Sequence, residues 1–336
     1  MSALPFKLNQ DRRHHIPEQK RRVTNWREYD ESLRRRGSLT VWFSDEAVAA
    51  WEAERRTSRG GQPEYSDLAI LAALTFKAVF RLAYRQTEGL IGSVIGLLGL
   101  DHSTLCRWAE TLEVPRPKPR GAGAGDGDDA AGGADGGAEP MHLLVDSTGL
   151  KLYGAGEWLV EKHGTRTRRA WRKMHLGVDA ETGRIVAATL TDRDEDDASQ
   201  VGPLLDQVAE PVASVTADGA FDQDRVYADV AERHPDADVI VPPRSTAVPS
   251  ATAETAPTQR DRHLQLIAEK GRMGWQKATG YNARARAEAA ISRYKRVIGD
   301  GLHARTDRRR ATEVNVGLHA LNRMLELGRP ESVRIA

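Results

Sequence analysis

Residues 173–190 read Lys173-Met-His-Leu-Gly-Val178-Asp179-Ala-Glu-Thr-Gly183-Arg184-Ile-Val-Ala-Ala-Thr-Leu190. Two runs with strand character, Lys173–Val178 and Arg184–Leu190, flank Asp179-Ala-Glu-Thr-Gly183, and this pattern predicts a β-hairpin. Upstream, Met141-His-Leu-Leu-Val-Asp146 reads as a short buried strand ending in an acid. Downstream, Ala198–Val208 reads as a helix opened by the acidic run Asp192 to Asp197, which suits a cap and dipole partner better than a metal site. Val212-Ala-Ser-Val-Thr-Ala-Asp218 is a second strand ending in an acid, followed by Gly219 and a helix from Asp222. Asp238–Val241 is a last strand closed by Pro242-Pro243, and an irregular, polar insertion of about 244–280 leads into a helical stretch.

Three strands that include the hairpin, then helix, strand, helix, strand and helix, is the order of a ribonuclease-H-like α/β fold with a mixed five-stranded sheet. That domain is expected over 141–336. Before it, residues 115–140 (PRPKPRGAGAGDGDDAAGGADGGAEP) have linker composition and mark the clearest domain boundary. Residues 1–114 read as all-α. Ser44-Asp-Glu caps a run through Glu54, Tyr65-Ser-Asp opens an apolar helix through Phe80, and Glu88–Leu98 is stopped by Gly99. Asp101-His-Ser103-Thr104 then caps a short helix carrying Arg107. The segment of about 86–112 therefore has a helix-turn-helix pattern with Arg107 on the reading helix, a DNA-binding arrangement. A simple packed helix pair has the same pattern.

Lys+Arg number 49 against 48 Asp+Glu, so overall charge says nothing about partners. Its distribution says more. Basic residues cluster in 1–40, at Lys162, Arg166, Arg168, Arg169, Arg172 and Lys173, and at Arg305, Arg308, Arg309 and Arg310. Such clusters mark phosphate-binding surfaces or merely solvated faces. The single cysteine, Cys106, excludes a disulfide framework and a cysteine-based zinc site. A charged N-terminus and an apolar run (Gly89–Leu100) too short to span a bilayer lead to the expectation of a cytoplasmic protein without a membrane partner.

Tyr281-x2-Arg284-x3-Glu288-x6-Lys295 places four polar side chains on one narrow stripe of a helix. Ala287, Ala290, Ile291, Tyr294, Val297 and Ile298 form a separate apolar arc that can face a core. An ordinary i,i+4 pair between Arg284 and Glu288 would look the same. The strand-end acids alter the balance. If the strands of Asp146 and Asp218 lie parallel and adjacent, both acids share one sheet edge, and the helix can bring Glu288 alongside. Three clustered carboxylates repel unless a cation joins them. Oxygen donors without Cys or His favour Mg²⁺ or Mn²⁺, and two such ions about 4 Å apart support phosphoryl transfer. Asp146 and Asp218 as plain turn caps is the competing reading. Trp275, in the insertion, is a candidate for stacking on an unpaired base or for anchoring a loop. His163 and His175 are possible general bases.

The blocks Asp146-Ser-Thr-Gly149-Leu, Ala217-Asp218-Gly219-Ala-Phe221-Asp222 and Tyr281-x2-Arg284-x3-Glu288-x6-Lys295 resemble the three signature blocks of insertion-sequence DDE transposases of the IS-five family. The similarity extends over about 141–336, including Gly156-Glu157-Trp158, Lys162-His163-Gly164, Trp171-Arg172-Lys173 and Pro242-Pro243-Arg244, and less distinctively over 21–114. The resemblance implies a Mg²⁺-dependent enzyme that binds the terminal inverted repeats of its element. It would cleave double-stranded DNA at the ends and join the 3′-hydroxyls to target DNA, self-associating on DNA. Matched by motif, Asp146, Asp218 and Glu288 are the catalytic, metal-holding acids, and Tyr281, Arg284 and Lys295 contact DNA. Lys295 neutralising Glu288 stands as an alternative. A nuclease of the same fold, or a non-catalytic DNA-binding descendant, are the rival functions.

Overall fold

The computed structural model describes residues 20–38, 42, 50–55, 57, 62–95, 101–115, 140–152 and 171–335. The cap at Ser44, the Gly99 helix stop, nearly all of the 115–140 linker, and the 156–169 stretch with His163 lie outside these residues.

The described elements run β1 (Arg21–Val23), α1 (Trp26–Arg36), α2 (Asp67–Val79), α3 (Tyr84–Ile95), α4 (His102–Trp108), β2 (Met141–Leu152), β3 (Trp171–Asp179) and β4 (Ile185–Asp192). Then come α5 (Val201–Leu205), β5 (Val212–Thr216), α6 (Asp224–Arg233), β6 (Asp238–Ile240), α7 (Gln259–Thr279), α8 (Ala285–Val297), β7 (Gly301–Leu302), α9 (Asp307–Glu326) and β8 (Ser332–Arg334). No helix among the described residues is long and apolar enough to cross a membrane.

Two compact units emerge, one from residues 1–41 and 324–336, the other from 42–323. In the first, β1 pairs antiparallel with β8, with Arg22 opposite Val333. Asn25 fastens the pairing: its amide donates to the Arg329 carbonyl at 2.9 Å and its oxygen accepts from the Glu331 N–H at 2.8 Å. A side chain at Gly328, whose φ is +136°, would meet the Ser32 Cβ at 2.9 Å, so the close approach needs glycine. Nothing local in the sequence joins segments three hundred residues apart.

In the second unit, Ser66 caps α2 by accepting from the Ala69 N–H at 3.1 Å, and Ile70, Leu71, Leu74 and Phe76 are buried along it. Asp101 caps α4 as its sequence predicts, accepting from the Ser103 and Thr104 N–H groups. Helices α2, α3 and α4 pack on one another. The chain leaves α2 through Arg81, whose guanidinium donates to the Arg296 and Val297 carbonyls at the end of α8.

The sheet order is β4-β3-β2-β5-β6, with β7 added beside β2, so it has six strands rather than five. The predicted hairpin is β3–β4, turning through Gly183 at φ +71°. β5 and β6 run parallel to β2. Strand β2 does not end at Asp146. It continues to Leu152 because β3 accompanies it as far as Lys151 opposite Trp171, whereas β5 leaves after Thr216 opposite Leu144. Met141, Leu143, Val145, Val201, Leu204, Val226 and Val230 form the core on one face. Helix α8 packs on β2 and β3, burying Ala287, Ala290 and Tyr294 from its predicted apolar arc.

Two expectations fail locally. The helix expected over 198–208 is a 3-10 turn, Asp197–Gln200, followed by the short α5. The acid at its N-cap, Asp196, makes no capping bond, and Asp197 pairs with Lys173 at 3.3 Å instead. The 244–280 insertion is not irregular: the 21-residue α7 fills its second half, opened by a Thr258–Asp261 capping box and kinked at Gly271. Its interior glycines hid the helix from a propensity reading.

Candidate active site

Parallel pairing places the two aspartates. Leu144 of β2 faces Thr216 of β5, and Asp146 and Asp218 each lie two residues further on. Adjacent strands stand about 4.8 Å apart, so the two acids sit side by side where β5 peels away. Asp146 remains inside a paired strand, opposite Leu176, and its Oδ1 accepts from the Ser147 N–H at 2.9 Å. Asp218 leaves the sheet as the N-cap of a 3-10 turn, Gly219–Phe221, accepting from the Ala220 N–H at 2.9 Å. Both acids therefore do cap backbone locally, each with one carboxylate oxygen.

Glu288 comes from the first turn of α8. The predicted single helix over 281–295 is in fact a 3-10 turn, Tyr281–Arg284, leading into α8. Gly280, in the left-handed region at φ +69°, redirects the chain from α7 into this turn. Arg284 Nη1 then lies 2.7 Å from Glu288 Oε1 and 3.7 Å from Asp146 Oδ2. Its Nε donates to the Tyr281 hydroxyl at 3.2 Å. Arg286, two residues on, donates to the Ala180 carbonyl and holds the start of α8 to the hairpin turn.

Electrostatics join these residues into one site. Burial pushes the Asp146 carboxyl up from its ordinary value, and the charges of Asp218 and Glu288 push the same way. The Ser147 N–H and Arg284 oppose them. Burial likewise raises Tyr281, with all three acids adding to it and Arg284 opposing. Among the described residues no group of three His, Cys, Asp or Glu is arranged to hold a metal ion. Glu288 is 59% exposed at its side chain and turned onto Arg284, which supplies the cation between it and Asp146. The donor set nevertheless suits a hard divalent cation: three mutually repelling carboxylates, with no sulfur or imidazole among them.

The other predicted residues separate. Among the described residues Lys295 forms no ion pair with Glu288. It acts on Asp300, which pairs with Lys151 at 2.7 Å near the end of β2. Trp275 is 1% exposed, donates from Nε1 to His263 Nδ1 at 3.0 Å, and packs against the Tyr281 ring at 5.1 Å. It is a core anchor beneath the site, closed to a stacking base. His175 lies opposite Ser147 and so on the other sheet face from Asp146. It is fully buried, bonded to Thr191 at 2.9 Å, and lowered to about 4 chiefly by burial, which removes it as a base for this site. Arg107 is exposed on α4, its Nη2 3.2 Å from Thr104 Oγ1. The basic clusters are partly consumed: Arg172 pairs with Asp192 and Asp307, and Arg309 with Glu110.

Sequence reasoning passed over two arginines. Arg260 clamps the buried Asp222 at 2.7 and 3.0 Å, and burial, which would raise Asp222, is outweighed by this clamp and the Arg244 N–H. Arg244 itself stands beside the Asp218 turn. An acid four residues after Asp218 and the Pro-Pro-Arg string were the available signals.

Residues 137–325 match a family model described as a transposase DDE domain, and residues 34–125 match a second model of that description. The structure is similar to piggyBac transposase in a cryo-EM synaptic complex with hairpin DNA. The likeness has a TM-score of 0.39 and 10% identity, over 91% of this chain and 77% of that one.

Proposed function

We propose, from the premise that this chain belongs to the transposase DDE domain family of DNA-cleaving, strand-transferring enzymes, that it is an insertion-sequence transposase of the IS-five type. It binds the terminal inverted repeats of its element, cleaves at the ends and joins the exposed 3′-hydroxyls to target DNA. The observation that carries the reading is the register: Asp146 and Asp218 lie two residues past one parallel pair, within electrostatic reach of Glu288.

Asp146, Asp218 and Glu288 are the residues that would hold Mg²⁺ or Mn²⁺. Two such ions would activate the attacking oxygen and stabilise the leaving one. The chain's own contribution is charge and position. The sheet fixes two carboxylates, and α8 carries the third on an exposed, adjustable side chain. Arg284, held by Tyr281, shares its guanidinium between Asp146 and Glu288 and can pass it to a DNA phosphate as Glu288 turns inward. Tyr281 borders the same phosphate, and Lys295 meets the backbone further along α8. The order β2 to β6 supports a ribonuclease-H-like catalytic domain. Helices α3 and α4 with Arg107 support a helix-turn-helix DNA reader, and the 115–140 linker a boundary between reader and catalyst. Pairing of two element ends calls for self-association on DNA, acting at the nucleoid in the cytoplasm.

The test is incubation with Mg²⁺ and duplex DNA bearing the inverted repeats that flank the coding sequence. Joined products support transposition. Cleavage without joining supports the nuclease of the same fold, and binding alone the non-catalytic descendant.

A further inference from the structure

The edge that carries the aspartates continues one strand further. Leu144, Thr216 and Ile240 form one row across β2, β5 and β6. Two residues past that row stand Asp146, Asp218 and Pro242, and Arg244 follows Pro242 by two. Three adjacent parallel strands thus deliver two acids and then an arginine along one edge, about 10 Å from first to last strand.

Arg244 is held by its backbone. Pro242-Pro243 restricts the approach, and the Arg244 N–H donates to the buried Asp222 carboxylate at 2.9 Å. Arg260 locks that carboxylate from the other side. The side chain is exposed and only lightly engaged. Its Nε lies 3.5 Å from the Gly219 carbonyl and its Nη2 3.3 Å from the Ala220 carbonyl, both in the turn that Asp218 caps. Among the described residues no carboxylate forms an ion pair with this guanidinium, whereas Arg260, Arg284 and Arg233 all have one. A planar fork of five donors, fixed at its root and largely unspent, is the group that takes a phosphodiester.

We infer that Arg244 is a DNA-positioning residue that binds a backbone phosphate next to the one being cleaved, flanking the acids on the Asp218 side as Arg284 flanks them on the Asp146 side. This rests on the proposed function above. Arg244 takes no part in bond making. It fixes where the strand lies relative to the two aspartates.

The test measures binding of a labelled duplex carrying the flanking inverted repeat, between about 50 and 200 mM salt, without divalent metal. Arg244→Ala is expected to weaken binding about tenfold and to reduce the salt slope by about one, the signature of one lost phosphate contact. Arg244→Lys restores the slope but not the full affinity, because the fork is lost. Arg244→Gln keeps a donor for the Ala220 carbonyl but no charge, and is expected to behave like the alanine variant. Full recovery by Arg244→Gln would make the role a structural one and overturn the inference, as would an Arg244→Ala chain that binds with unchanged slope. A wild-type chain that fails to bind the duplex removes the proposed function, and this inference with it.

Discussion

Asp146 and Asp218 stand side by side because Leu144 pairs with Thr216 and each acid follows that pair by the same two residues. Register, rather than any motif, makes them neighbours, and a shift of one residue would turn one of them to the opposite face.

Burial, with the charges of Asp218 and Glu288 behind it, pushes the Asp146 carboxyl up against the Ser147 N–H and Arg284. Its folded value is raised, so at low pH the protonated form fits the fold, and stability falls as pH rises through that raised value. Asp146→Asn is therefore expected to leave the metal-free protein as stable as wild type or more so. The variant should also flatten this part of the stability-versus-pH curve while abolishing activity. Chemical denaturation across acidic to neutral pH checks it.

His175 gives the opposite slope. Its folded value lies at about 4, below the ordinary 6.5, so the unfolded chain binds the proton first. Stability is expected to fall on the order of 3 kcal/mol as pH drops between those values. His175→Gln should remove most of that dependence in thermal melts.

Trp275→Ala empties a core position under Tyr281 and should cost about 3–5 kcal/mol in denaturant unfolding. Trp275→Phe keeps the packing and should bind DNA as wild type does. Selective loss of DNA affinity in a stable Trp275→Phe variant would restore the base-stacking reading.

Arg260→Ala strands the buried Asp222 carboxylate and is expected to destabilise by about 3 kcal/mol. Arg260→Ala combined with Asp222→Asn should recover part of that loss, measured by a double-mutant cycle.

Much of this site was legible because its parts are local: a hairpin around Gly183, two strands that each carry an acid, and a helix with separate apolar and polar faces. The apolar arc is the one that packs. What the sequence hid was non-local. Pairing of β1 with β8 joins distant segments, and the length of β2 is set by its partner β3. Trp275 has the same composition signal whether it anchors or stacks, and only burial decides. Lys295 looked aligned with Glu288 on an ideal helix, but its charge acts on Asp300 beyond the helix end. Arg244 was visible in a quoted string, yet only the parallel strands β5 and β6 set it beside Asp218.

The most direct test is end joining in Mg²⁺ by purified wild type, Asp146→Asn, Asp218→Asn and Glu288→Gln, using duplexes with the flanking inverted repeats. Wild type should cleave and join. Each variant should bind the same duplex but fall about a thousandfold or more in both steps. Joining at the wild-type rate by any one of the three variants would contradict the assignment of these acids as one catalytic site.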